Sequence, residues 1–176
     1  MLFRSFKIIK STNDTAARII KKTNHKFGMV VAEKQFSGRG QYGRKWISYK
    51  GNLFASFFHP FDENKFSIER VTKLNCNLVK QTLSKYIKNK INFKKPNDLL
   101  INKKKISGIL QEIITKSDKK FLITGIGINV IKNPNIKNYP ATNLYRITGK
   151  KINKSELEKN LKLVFENRIS KMYKIN

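Results

Sequence analysis

Between Glu33 and Ser56 the chain reads EKQFSGRGQYGRKWISYKGNLFAS, and its centre, Gly38 to Trp46, alternates glycine with cationic and aromatic side chains. Glycine permits positive φ and lets backbone N–H groups approach a ligand, while neighbouring Arg and Lys neutralise anionic oxygens. That combination suits a loop that folds over a phosphate. Three other stretches put polar side chains at turns or strand ends. They are Ser11-Thr12-Asn13; Lys94-Lys95-Pro96-Asn97-Asp98 followed by Lys105-Ile106-Ser107-Gly108-Ile109-Leu110; and Gly125-Ile126-Gly127-Ile128-Asn129-Val130. Each has a bland reading as well. Ser11 and Thr12 are good helix caps, Pro-Asn-Asp is a common turn, and Lys103-Lys104-Lys105 reads as a solvated charged turn. Gly125-x-Gly127 lacks the third glycine and the following helix of a dinucleotide fingerprint, which excludes a Rossmann site.

The elements that must position these residues follow from hydrophobic spacing. Leu2 to Ile9 alternates and predicts a strand, and Ser11 or Thr12 then caps a helix to about Thr23. Met29-Val30-Val31-Ala32 is a short apolar run, expected as a buried strand that delivers Gln35 to its carboxyl end. A Phe-rich strand runs from Asn52 to Phe58. Apolar residues at helical spacing, from Ile68 to Ile87, predict a helix from Ser67 to about Asn89. Strands are expected at Ile91–Lys94, Asp98–Ile101, Lys105–Thr115 and Phe121–Val130, the last three as a meander with turns at Asn102-Lys103 and Lys116–Lys119. Lys132 to Asn143 reads as a loop or lid. Ser155 and Glu158 have capping-box spacing at the start of a closing helix whose apolar face runs from Leu157 to Tyr173.

The 176 residues suit one globular domain, with 39% hydrophobic residues and no apolar run of membrane-spanning length. No secretory signal pattern opens the chain, so the expected location is the cytoplasm, with no membrane partner. Cys76 is the single cysteine, expected to be structural; with His25 and His59 the only histidines, no metal site is expected. A formal net charge of +27 invites nucleic acid. The lysines are spread along the whole chain, however, and no DNA- or RNA-binding motif occurs, so no specific nucleic-acid partner is expected.

In order and spacing, the four polar stretches resemble those of the biotin protein ligase family, and the resemblance covers most of the chain. It implies an α+β fold of the class II aminoacyl-tRNA synthetase-like kind, a mixed β-sheet flanked by helices, with residues 1–176 forming the catalytic domain. Neither the winged helix that precedes this domain in some relatives nor the small β-barrel that usually follows it is expected. The implied activity joins biotin to ATP as biotinyl-5′-adenylate, with Mg²⁺ accompanying the ATP. The biotinyl group then passes to a lysine of a biotin carboxyl carrier protein. By position, Arg39 and Lys105 are the implied catalytic cations. Ser11, Thr12, Asn13, Gln35, Arg39, Gly40, Gln41, Lys105 and Gly108 are the implied biotin contacts. Arg39, Arg44, Trp46, Asn97, Lys105 and Asn129 are the implied nucleotide contacts. Trp46 reads equally as core.

Physically, convergent cations fit that chemistry. A carboxylate and an α-phosphate roughly 4 Å apart repel by about 4 kcal/mol per pair of unit charges at an effective dielectric of about 20. Two positions depart from the family, which often carries arginine where this chain has Gln41 and tryptophan where it has Lys95. The resemblance also allows a homodimer, and a lipoate or octanoate ligase-like enzyme or a binding protein that has lost catalysis are the alternatives to biotin attachment.

Overall fold

The computed structural model describes residues 1–173. Seven strands form one sheet in the order β1-β2-β3-β7-β6-β5-β4. They are β1 (Leu2–Ile9), β2 (Gly28–Gln35), β3 (Leu53–Pro60), β4 (Asn92–Lys94), β5 (Asp98–Ile101), β6 (Lys104–Lys116) and β7 (Lys119–Ile128). β1 and β2 are parallel and every other neighbouring pair is antiparallel, so the sheet is mixed as expected. The helices are α1 (Thr12–Lys22), α2 (Ile68–Leu83), α3 (Leu144–Thr148) and α4 (Lys154–Tyr173).

Strand alternation divides the core between the two faces. On one face α1 contributes Ala16 and Ile20, which pack with Val30, Phe58, Phe121 and Ile123. On the other, Val79 and Leu83 of α2 and Leu161 and Phe165 of α4 pack over Met29, Val31, Phe57 and Ile126. β3 is buried on both faces from Leu53 to His59, which explains why it reads as a nearly continuous apolar run. Phe57 and Phe165 stack with centroids 4.2 Å apart, tying α4 to the sheet centre.

Three expectations are corrected. α2 ends at Leu83, not near Asn89. Beyond it a tight turn, in which the Tyr86 and Ile87 N–H groups donate to the Leu83 carbonyl, returns Ile87 to the core. α4 is not capped by a Ser155–Glu158 box: Asn153 Oδ1 accepts from the N–H groups of Ser155 and Glu156, at 3.0 and 3.2 Å. Asparagine is as strong a cap as serine and stands two positions earlier. The short helix α3 follows the 132–143 loop and was not expected. Its ends are marked, by Asn143 accepting from the Arg146 N–H and by Gly149 at φ 67°, but it is too short to show helical spacing. Cys76 is buried in the core, and burial pushes its thiol up to about 12, in keeping with a structural role. Among the described residues, no helix is long and apolar enough to cross a membrane.

Candidate active site

Residues 38–46 form a miniature hairpin. The Trp46 N–H donates to the Gly38 carbonyl at 2.9 Å, the Gly40 N–H to the Arg44 carbonyl at 2.6 Å, and Arg39 bridges Lys45. The reversal at Gln41–Gly43 requires left-handed backbone at Tyr42 and Gly43, φ 58° and 72°, which glycine adopts without strain. This hairpin closes one side of a cavity of about 570 Å³, within the range of about 300–1,000 Å³ usual for small-molecule sites. All thirteen residues named as implied biotin or nucleotide contacts line it. Ser11, Thr12, Asn13 and Gln35 stand toward one end, Arg39, Gly40, Gln41, Arg44 and Trp46 on the hairpin, and Asn97, Lys105, Gly108 and Asn129 on the meander side.

At the Ser11–Asn13 corner Ser11 does cap α1, accepting from the Asp14 N–H, yet the corner is also part of the cavity. Both readings of these residues therefore hold. Gln35 Oε1 accepts from the Thr12 N–H at 2.7 Å and from its hydroxyl at 3.0 Å, and Gln35 Nε2 donates to Ser48 Oγ at 3.2 Å. Ser56, on the neighbouring β3, bonds to both Thr12 Oγ1 and Asn13 Oδ1. The result is a rigid set of donors and acceptors at the carboxyl end of β2, suited to a neutral ligand group rich in amides.

Trp46 is wall rather than core. Its indole lies flush on β6 and β7, where a Cβ on Gly127 would come within 2.3 Å of the ring and one on Gly108 within 2.8 Å. Those two glycines leave the space the ring fills. Lys105 Nζ sits 5.2 Å from the Trp46 ring centroid and pairs with Asp98 Oδ1 at 2.7 Å. Asp98 is 3% exposed, and its other oxygen accepts from the Tyr139 hydroxyl at 2.9 Å. Tyr139 rises from the 132–143 loop, so that loop closes over the Lys105 end of the cavity. Burial, then the hydrogen bond to Asp98 and its charge, raise the Tyr139 pKa, and the phenol stays protonated.

Two buried groups in the cavity wall are left without protein partners among the described residues: the indole N–H of Trp46 and Oδ1 of Asn129. The amide nitrogen of Asn129 is held by the carbonyls of Thr142 and Lys105, at 3.1 and 3.4 Å, which turns its oxygen into a fixed, unused acceptor. A buried polar atom of this kind costs about 1–3 kcal/mol unless something satisfies it, and a ligand donor does so here. Asn97 instead pins its turn to β6, donating to the Ile109 carbonyl at 2.6 Å. Lys95, where the family often has tryptophan, lies at the surface and pairs with Glu69 at 3.5 Å.

Arg39 lines the cavity, but its terminal nitrogens are occupied. Nη1 donates to Asp14, and Nη2 to both oxygens of Glu112 at 2.9 and 3.1 Å. Burial opposes its charge, and the two carboxylates outweigh that and hold the guanidinium pKa above its ordinary value. Glu112 also accepts from Asn13 Nδ2 at 2.6 Å, so one carboxylate links the hairpin, α1 and β6. Sequence reasoning missed Glu112, Asp14, Ser56 and Tyr139. Period-two spacing along β6 after Gly108 and Leu110 puts Glu112 on the cavity side and was the available signal. Tyr139 had none.

The Arg39 pairs, about one-third exposed, hold the hairpin in place. Glu112→Gln is expected to cost about 0.5–1 kcal/mol of stability. It should also admit more acrylamide quencher to Trp46, the one tryptophan of the chain. Unchanged quenching would separate this carboxylate from hairpin order.

Residues 5–129 match the biotin/lipoate A/B protein ligase family. The chain is 34% identical over 169 residues to the bifunctional ligase/repressor BirA of Bacillus subtilis, covering 92% of this chain and 51% of that protein, so it spans about half the relative's length. The biotin protein ligase of Aquifex aeolicus, solved with biotin and ATP, superposes with a TM-score of 0.76 at 33% identity, over 96% of this chain and 71% of that one. The biotin protein ligase of Leishmania major, solved with biotinyl-5-AMP, gives 0.75 at 27% identity, over 93% and 72%. With the sheet order, the glycine hairpin and the two-ended cavity all in place, the chain belongs to the biotin/lipoate A/B protein ligase family, and within it to the biotin protein ligases.

Proposed function

We propose that this chain activates biotin with ATP and attaches it to a lysine of a biotin carboxyl carrier protein. The observation that carries the reading is that one cavity is lined by the amide-rich corner at Thr12 and Gln35, by Lys105 and by the unused acceptor on Asn129. A ureido ring presents N–H donors and a carbonyl acceptor that match the corner. Adenine presents an amino donor that matches Asn129 Oδ1.

In the first step a biotin carboxylate oxygen attacks the α-phosphorus and the bond from that phosphorus to the bridging oxygen breaks. Pyrophosphate leaves with the electron pair. Lys105, held by Asp98, supplies fixed positive charge where the two anions meet, and the cavity holds both at reacting distance. Arg39 keeps the hairpin closed through Asp14 and Glu112, which presents the backbone of Gly40 and Gln41 to biotin and excludes water from the mixed anhydride. In the second step the carrier lysine's neutral amine attacks the biotinyl carbonyl, the bond to AMP breaks, and an amide forms with loss of one proton. Mg²⁺ would come with ATP as its counter-ion and would neutralise phosphate charge.

Titration with biotin and with lipoate, followed by transfer to a carrier domain, tests the reading. Biotin should bind and be transferred; preference for lipoate, or biotin binding without transfer, would overturn it. Gln41 removes a cation that many relatives place on the hairpin. Gln41→Arg is therefore expected to reduce release of free biotinyl-adenylate several-fold, about the effect of 1 kcal/mol. Equal leakage from both proteins would remove Gln41 from the account. The net charge of +27 favours an acidic carrier domain, so the transfer rate should fall as salt rises. A salt-independent rate would exclude steering.

A further inference from the structure

Asn52 stands outside the cavity lining and is fully buried at the entry to β3, yet its carboxamide is spent on one short stretch of backbone. Oδ1 accepts from the N–H groups of Val130, Ile131 and Lys132 at 3.0, 3.0 and 3.2 Å, and Nδ2 donates to the Lys132 carbonyl at 2.7 Å. Here the chain leaves β7 and enters the 132–143 loop. One side chain thus supplies the partners that these backbone groups would otherwise lack once they leave the sheet. The far end of the loop returns to the same stretch, where the N–H groups of Leu144 and Tyr145 donate to the carbonyls of Asn129 and Val130 at 3.0 and 2.9 Å. Asn143 Nδ2 donates to Asn133 Oδ1 at 2.6 Å and closes the neck.

What this loop holds is Lys105. The Lys105 N–H donates to the Pro140 carbonyl at 2.8 Å and its carbonyl accepts from the Thr142 N–H at 2.9 Å, so the loop lies against this one residue as a parallel bridge through Ala141. The side chain is tied to the same loop through Asp98, which pairs with Lys105 Nζ at 2.7 Å and accepts from the Tyr139 hydroxyl at 2.9 Å. Backbone and ammonium both take their places from a loop whose base rests on Asn52. We infer that Asn52 is a positioning residue for the biotin-activating step, acting through the 132–143 loop to fix where Lys105 places its charge. The inference rests on the adenylate-forming reading above. Misplacing a reacting group by about 1 Å slows a reaction by about 10²-fold, so a clamp remote from the substrate governs rate. The corner at Thr12 and Gln35 is held by Ser48 and Ser56 instead, which separates biotin binding from the clamp.

The test compares the wild-type chain with Asn52→Ala and Asn52→Asp at a temperature where all three are folded. Amide hydrogen exchange followed by NMR reads the clamp without any turnover. In Asn52→Ala the Lys105 and Thr142 amides should exchange about tenfold faster or more, while Ile109, whose N–H is held by the Asn97 carbonyl at 3.0 Å, keeps its wild-type rate. Biotin-dependent pyrophosphate release reads the consequence. In Asn52→Ala kcat should fall about 10–10²-fold with the KM for biotin within about twofold, and Asn52→Asp, which keeps an acceptor for the three N–H groups, should lose less. If Asn52→Ala does not fold, Asn133→Ala opens the neck at a half-buried position and is expected to change both readouts in the same direction. Unchanged exchange at Lys105, or faster exchange there with unchanged kcat, overturns the assignment. So does a loss of biotin binding that matches the loss of kcat, the mark of a merely structural role. A wild type without biotin-dependent pyrophosphate release, beside amides that loosen in Asn52→Ala, keeps the clamp and removes the ligase reading. An active wild type with unmoved exchange in the variant does the reverse.

Discussion

Lys105→Ala is expected to slow biotin-dependent pyrophosphate release by about 10²–10³-fold, the loss that follows removal of one fixed electrostatic contact to a transition state. The side chain is 19% exposed, pairs with a nearly buried Asp98 and sits beside the Trp46 indole, which fixes its charge in the cavity wall. Truncation also strands the Asp98 charge. Breaking a buried pair costs about 3–5 kcal/mol, and the partial exposure of Lys105 puts this case near the lower end. A fall in activity could therefore reflect lost structure. The double variant Asp98→Asn with Lys105→Met removes both charges and should regain much of the stability while remaining inactive. Recovery of activity together with stability would show that Lys105 matters only as a partner for Asp98.

Gly127→Ala is the second large effect. A Cβ at this position would fall 2.3 Å from Cζ2 of Trp46 and 2.4 Å from Cε2, contacts no side chain sustains. The strand cannot yield, because Gly127 is paired on both sides, with Phe54 of β3 and Gly108 of β6. The indole must move instead. Displacing it should cost about 1–3 kcal/mol and open the cavity wall, with biotin and nucleotide affinity both falling at least tenfold. Trp46 emission should shift to longer wavelength. Unperturbed emission would mean the ring does not rest on this glycine.

Most of the strand plan was legible because each buried strand carries its own pattern. β3 and β7 read as apolar runs, β1 alternates, and both β5–β6 and β6–β7 are joined by two-residue turns. Those turns hold Asn102, Lys103, Ser117 and Asp118 at positive φ. The cavity was legible for a different reason. Its backbone contributors, Gly38 to Trp46 and Gly125 to Gly127, need residue types that little else explains.

What sequence could not show was pairing at a distance. Glu112 lies 73 positions from Arg39, and Tyr139 lies 41 from Asp98. Only the sheet order β3-β7-β6-β5 and the path of the 132–143 loop bring those partners together. The same blindness hid the two carboxylates, Asp14 and Glu112, that share the charge of Arg39. Helix ends were misread where competing signals stood within a few residues, as with Asn153 ahead of Ser155.

The central claim is that one cavity brings a carboxylate and an α-phosphate together despite their repulsion. Its most direct measurement is a quenched single-turnover reaction of the protein with α-labelled ATP, run with and without biotin. Label should appear in biotinyl-5′-adenylate only when biotin is present, with one pyrophosphate released for each adenylate formed. Label found in AMP alone at equal rates with and without biotin, or no turnover beside intact biotin binding, would contradict the account.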